Sequence, residues 1–150
     1  MIDRKWIGHT LPASVLHIDR TRLQFFAKAI GETDPVYTRV DAARDAGHAD
    51  LPAPPTFLFA AELDPGATDG LLADLKVPIE RILHGEQSFS YRKHAVAGDT
   101  VTVQSRIADI YDKKNGALEF IVKESTVRNQ HDEAIAELRT VIVVRNPAAK

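Results

Sequence analysis

The sequence predicts an α+β fold in which a long antiparallel sheet wraps around one buried helix. Two observations carry this. Residues 51–63 are almost wholly apolar once past their prolines, and a helix apolar on all sides is a buried helix. From Ile82 onward the pattern changes to long alternating runs broken by turn residues, as strands of a meander require. One apolar helix and several long strands bury their faces together when the sheet curls over the helix. A length of 150 residues is that of one domain, spanning 1–150.

Each element has its own signal. Residues 14–18 read as a first strand. Asp19 is an N-cap for the helix that follows, and Ile18 and Leu23 are placed to form a hydrophobic staple. Leu23, Phe26, Ala27 and Ile30 make an apolar stripe, with Phe25 and Phe26 expected in the core. Gly31 ends that helix, and Pro35 forbids its resumption. Residues 40–46 form a short helix stopped by Gly47. Pro52, Pro54 and Pro55 lead into the buried helix, because the first helical turn tolerates proline. Pro65-Gly66 breaks it, and residues 71–75 add one more turn. In the long strand beginning at Ile82, alternation puts Leu83, Gly85, Gln87, Phe89 and Tyr91 on one face and His84, Glu86 and Ser88 on the other. Ala97-Gly98-Asp99 is a turn, Asn115-Gly116 is the strongest hairpin signal in the chain, and residues 129–132 turn into the last strand, 135–144. Residues 147–150 read as a frayed tail.

Composition excludes several functions. The formal net charge of −2 gives no basic face for nucleic acid. With no cysteine there is no disulfide framework, thiolate catalysis or thiolate metal site. No run approaches a membrane span and the N-terminus lacks an apolar signal core, so the expectation is a cytoplasmic protein. The histidines show no paired spacing of a zinc site, so no metal and no cofactor are expected.

Three stretches carry a resemblance: residues 29–37 (Ala-Ile-Gly-Glu-Thr-Asp-Pro-Val-Tyr), residues 51–57 (Leu-Pro-Ala-Pro-Pro-Thr-Phe), and the block from His84-Gly85-Glu86-Gln87 through Tyr91 to Gly98-Asp99. Together they resemble the MaoC-like acyl-thioester hydratases of the single-domain, FAS1-type dehydratase N-terminal form, over nearly the whole chain. The layout is also similar to the substrate-binding subunits of the mycobacterial hydroxyacyl-carrier-protein dehydratase. The resemblance implies the hot-dog fold, an acyl-CoA or acyl-ACP thioester as ligand, and side-by-side pairing as a homodimer or with a catalytic MaoC-like subunit. In that family the catalytic loop reads roughly Gly-Asp-x-Asn-Pro-(apolar)-His, and its Asp and His activate the water that adds to an enoyl thioester. Here Glu32 stands at the Asp position, Asp34 at the Asn position and Tyr37 at the His position.

Hydration needs a base and an acid with pKa values near the operating pH. Histidine meets this at about 6.5, whereas a free phenol lies near 10. Glu32 is one methylene longer than Asp and places its oxygens differently. In catalytic relatives the central helix starts approximately Ala-Pro-Gly, and that Gly amide helps bind the thioester oxygen. Pro55 aligns with this Gly, and an offset of one residue would put Thr56 there. Three readings follow. The first is a non-catalytic or substrate-binding subunit, with Asp34, Pro55, Thr56, Phe57 and Phe59 at the ligand, and Phe57, Phe59 and Leu63 walling an acyl tunnel. The second is a self-sufficient hydratase or 3-hydroxyacyl dehydratase using Glu32 with Tyr37 or His84. The third is a non-enzymatic thioester sensor or structural dimer. His84 with Glu86 on one strand face reads as an interface acid–base pair or a hydrogen-bonded sheet histidine. His48 lies near a ligand entrance or in solvent, and Arg92, Lys93 and His94 meet ligand phosphates or simply end a strand.

Overall fold

A computed structural model describes residues 1–63 and 67–146. Five strands form one antiparallel sheet: β1 (Ser14–His17), β2 (Ile82–Tyr91), β3 (Thr100–Lys113), β4 (Leu118–Arg128) and β5 (Ala134–Arg145), in the order β1-β3-β4-β5-β2. The β3–β4 hairpin turns at Lys114, Asn115 and Gly116, all with positive φ, as the Asn-Gly signal requires. The expected helix break at Pro65-Gly66 and the frayed tail over 147–150 lie outside the described residues. No helix among the described residues is long and apolar enough to cross a membrane.

Helix α1 (Arg20–Ala29) starts where Asp19 accepts a hydrogen bond from the Arg22 amide at 3.1 Å. It ends at Gly31, whose φ of +74° is the left-handed conformation glycine tolerates. Ile18, Leu23 and Ala27 are fully buried, but the expected placement of Phe25 is corrected: it is 72% exposed, on the solvent side of the stripe. Only Phe26 turns inward, edge-on to Phe57 with ring centroids 5.3 Å apart. Helix α2 (Val40–Asp45) follows, closed by Gly47.

The buried helix is shorter than its apolar run. It is α-helical only as α3 (Phe59–Leu63), preceded by tight turns in which Phe57 N–H bonds the Pro54 carbonyl and Ala60 N–H bonds that of Phe57. Thr56 explains the delay, because its φ of +76° cannot belong to a right-handed helix. Phe57, Leu58 and Ala61 still fill the centre of the core against Val101, Val103, Val127 and Leu138 of the sheet. Leu63 points out instead. A second cluster joins α4 (Ala67–Asp74), through Leu71 and Leu72, to Ile107, Ile121 and Ile142.

The alternation expected along β2 is also corrected. A bulge at Gly85 shifts the register between His84 and Glu86. Opposite β5, His84 pairs with Ile142, Gln87 with Thr140, Phe89 with Leu138 and Tyr91 with Ala136, so these four share the inner face. Glu86 pairs with Val141 on the outer face, where Arg139 donates to it at 2.9 Å. His84 and Glu86 are therefore on opposite sides of the sheet and form no pair.

Candidate functional site

The polar turn after α1 is built on its own backbone. The Glu32 Oε1 accepts hydrogen bonds from the amides of Thr33 at 2.8 Å and Asp34 at 2.9 Å. Asp34 Oδ1 accepts from the Val36 amide at 3.0 Å, capping the single 3-10 turn Pro35–Tyr37. Both carboxylates thus do what short acidic side chains do in turns: they satisfy amides that have no acceptor within the loop. Tyr37 is half-buried at the end of that turn. The structure places Glu32 and Asp34 in successive turns of one loop, and among the described residues no histidine is hydrogen-bonded to either.

The segment before α3 is the other half of the site. Asp50 accepts two hydrogen bonds from the Arg20 guanidinium, at 2.8 and 2.5 Å, and a third from the Leu51 amide at 2.8 Å. The hydrogen bond with Arg20, chiefly, holds the Asp50 carboxyl down to about 2. This clamp fixes the chain entering Pro52, Pro54 and Pro55. The left-handed backbone then falls at Thr56 rather than Pro55, and the Thr56 amide donates to the Tyr91 hydroxyl at 3.0 Å. Pro55 and Thr56 are exposed, Phe57 is core, and Phe59 is half-buried with its ring edge-on to His84 at 5.0 Å.

Other candidates separate. His48 and His94, scattered in sequence, meet edge to face at 4.9 Å. Arg92 pairs with Glu137 at 3.4 Å and Lys93 with Glu133, so both cations already have carboxylate partners. Among the described residues no three metal-ligating side chains come together. Sequence reasoning missed a buried polar group beneath α3. Glu62, 1% exposed, lies 3.3 Å from the ammonium of Lys123, 3% exposed, and accepts from Ser125 and from Thr140 at 3.0 Å. Its signal was Glu62 itself, the one charge inside residues 57–63, and Lys123 at an inward position between Ile121 and Ser125.

A curled five-stranded antiparallel sheet over a short central helix, with a capped polar turn leading out of the first helix, defines a hot-dog protomer of the MaoC-like dehydratase and hydratase type. The chain belongs to the FAS1-like dehydratase domain region family, which it matches over residues 5–138. It is 32% identical over 145 residues to a UPF0336 protein of Streptomyces griseus, covering 96% of this chain and 95% of that one. It is 35% identical over 130 residues to a UPF0336 protein of Leifsonia xyli, covering 85% of each. Among solved structures it is similar to the C-terminally truncated HadBC (3R-hydroxyacyl-ACP dehydratase) complex of Mycobacterium tuberculosis, with a TM-score of 0.78, 22% identity, and 92% and 96% of the two chains covered. The ChsH1-ChsH2 complex of the same organism matches with a TM-score of 0.71 at 20% identity, over 95% and 92%. At these identities the structural likeness shows the fold.

Proposed function

We propose that this chain is the acyl-thioester-binding, non-catalytic subunit of a 2-enoyl-CoA or 2-enoyl-ACP hydratase, acting in the 3-hydroxyacyl dehydratase direction as well. It works as one domain over 1–150, in the cytoplasm, paired with a catalytic MaoC-like protomer. The observation that carries this is the state of Glu32. A general base must reach the proton it removes, and the Glu32 carboxylate at the family's Asp position is anchored to its own loop through Oε1, which accepts from two amides. Tyr37, at the histidine position, supplies a phenol in place of an imidazole. The scaffold of the loop is kept while its water-activating pair is absent.

Two features support a partner. Strand β2 stands at the edge of the sheet with ten residues and, among the described residues, pairs on one side only, with β5. Such an edge is a template for another strand. Both named structural neighbours are complexes. The test is hydration of a medium-chain 2-enoyl-CoA by the purified protein, followed by loss of enoyl-thioester absorbance, beside calorimetric titration with the same ligand. Saturable binding without turnover, and turnover when a catalytic MaoC-like protomer is added, is the expected result. Turnover by the chain alone that disappears in Glu32→Gln would overturn it in favour of a self-sufficient enzyme. Binding that never leads to turnover with any such protomer would leave a sensor.

A further inference from the structure

The amide that closes the pre-helix turn is not open to a ligand: its hydrogen already goes to a phenol. Thr56 holds a left-handed backbone, which a β-branched residue adopts only at a cost. That conformation turns its N–H toward the Tyr91 oxygen, at 3.0 Å. Tyr91 is the last residue of β2, on the inner face, stacked on Phe89 with ring centroids 5.9 Å apart and planes 7° from parallel. It is nonetheless 45% exposed. A phenol oxygen that accepts one hydrogen bond keeps its own proton to give, and accepting polarises that O–H and makes it a better donor. Among the described residues the Tyr91 proton meets no acceptor. Burial pushes the Tyr91 phenol up from its usual value, so the group stays a donor at neutral pH.

We infer that Tyr91 is the residue that holds the thioester carbonyl oxygen, in a relay running from the Thr56 N–H through the Tyr91 hydroxyl to the ligand. The relay moves the donor outward by one hydroxyl, onto the inner face of the edge strand, where Phe89 offers an apolar wall to the carbons that follow the carbonyl. This inference rests on the acyl-thioester reading above and names the atom that recognises the thioester.

The experiment compares two probes by titration calorimetry: decanoyl-CoA and its S-decyl thioether, which lacks only the carbonyl oxygen. The wild type is expected to prefer the thioester about five- to tenfold, the worth of one hydrogen bond. Tyr91→Phe keeps the ring stacked on Phe89 and is expected to lose that preference while binding the thioether as before. Equal weakening of both probes, or an unchanged preference, would show a structural role only and overturn the assignment. As a measurement that needs no variant, the carbonyl stretch of bound, carbonyl-labelled decanoyl-CoA is expected below its value in water-free solvent. An unshifted stretch overturns the relay as well. If the wild type binds neither probe, the thioester reading itself fails; if it binds both alike, only Tyr91's role fails.

Discussion

Removing the ammonium of Lys123 tests how α3 is attached to the sheet. Glu62 on α3 and Lys123 on β4 are both buried, with Nζ 3.3 Å from Oε2. At an effective dielectric of about 20, charges this close attract by about 5 kcal/mol. The carboxylate is further held by Ser125, which receives a hydrogen bond from Ser105 at 2.8 Å, and by Thr140. Thr140 has one proton and lies 2.8 Å from the Gln87 side-chain oxygen as well as 3.0 Å from Glu62. It satisfies both neighbours if it donates to Glu62 and the Gln87 amide is turned so that Nε2 donates to it. That orientation also provides for the Gln87 Nε2, which is otherwise buried without a partner. The network therefore links the helix to β2, β3, β4 and β5 through one carboxylate.

Lys123→Met retains most of the volume and leaves that carboxylate buried without its counter-charge. Breaking one half of a buried pair costs about 3–5 kcal/mol. For a chain of this size that lowers the melting temperature by about 6–20 °C. Replacing both partners, in Glu62→Gln with Lys123→Met, removes the stranded charge while Gln keeps an oxygen for Ser125 or Thr140. The double variant is expected to recover at least half of the loss. Urea denaturation of wild type, both single variants and the double variant gives the coupling directly. A Lys123→Met loss below about 1 kcal/mol, or losses that simply add in the double variant, would refute the argument that the pair acts as a unit.

Two other expectations rest on single contacts. A Cβ on Gly85 would lie 2.7 Å from Val143 Cγ2 and 3.1 Å from the Val141 carbonyl oxygen, so Gly85→Ala is expected to cost about 1–3 kcal/mol by thermal denaturation; an unchanged melting temperature would mean that the bulge relaxes freely. The Asp50 carboxyl is held at about 2, against an ordinary value of 3.8, chiefly by its hydrogen bond with Arg20. A depressed carboxyl contributes stability above its unfolded pKa and loses it as pH falls through the folded one. The stability gap between wild type and Asp50→Asn should therefore be full at neutral pH, shrink below about pH 4 and close near pH 2; a gap constant across that window would disprove the linkage.

The sequence by itself determined the class of fold and most of its punctuation. Asp19, Gly31, Gly47, Gly98 and Asn115-Gly116 act through their own backbone conformations or their nearest amides, so their effects need no knowledge of distant residues. The long β3, β4 and β5 were legible because side chains alternate with period two whatever lies opposite.

What only the tertiary structure decided depends on partners far along the chain. The bulge at Gly85 arises from pairing with Val141 and Val143 and moves His84 across the sheet, which no alternation pattern in β2 alone reveals. The central helix starts late because Thr56 is left-handed, and its amide finds the Tyr91 hydroxyl 35 residues away. Glu62 stays buried only because Lys123, Ser125 and Thr140 arrive from two strands folded beneath it. The anchoring of Glu32 likewise follows from the path of its loop: residue identity named the position, and the amides of Thr33 and Asp34, which donate to Oε1, fix the carboxylate there. Short-range preferences are written residue by residue, whereas the burial of a charge or the direction of an amide is settled where separate segments meet.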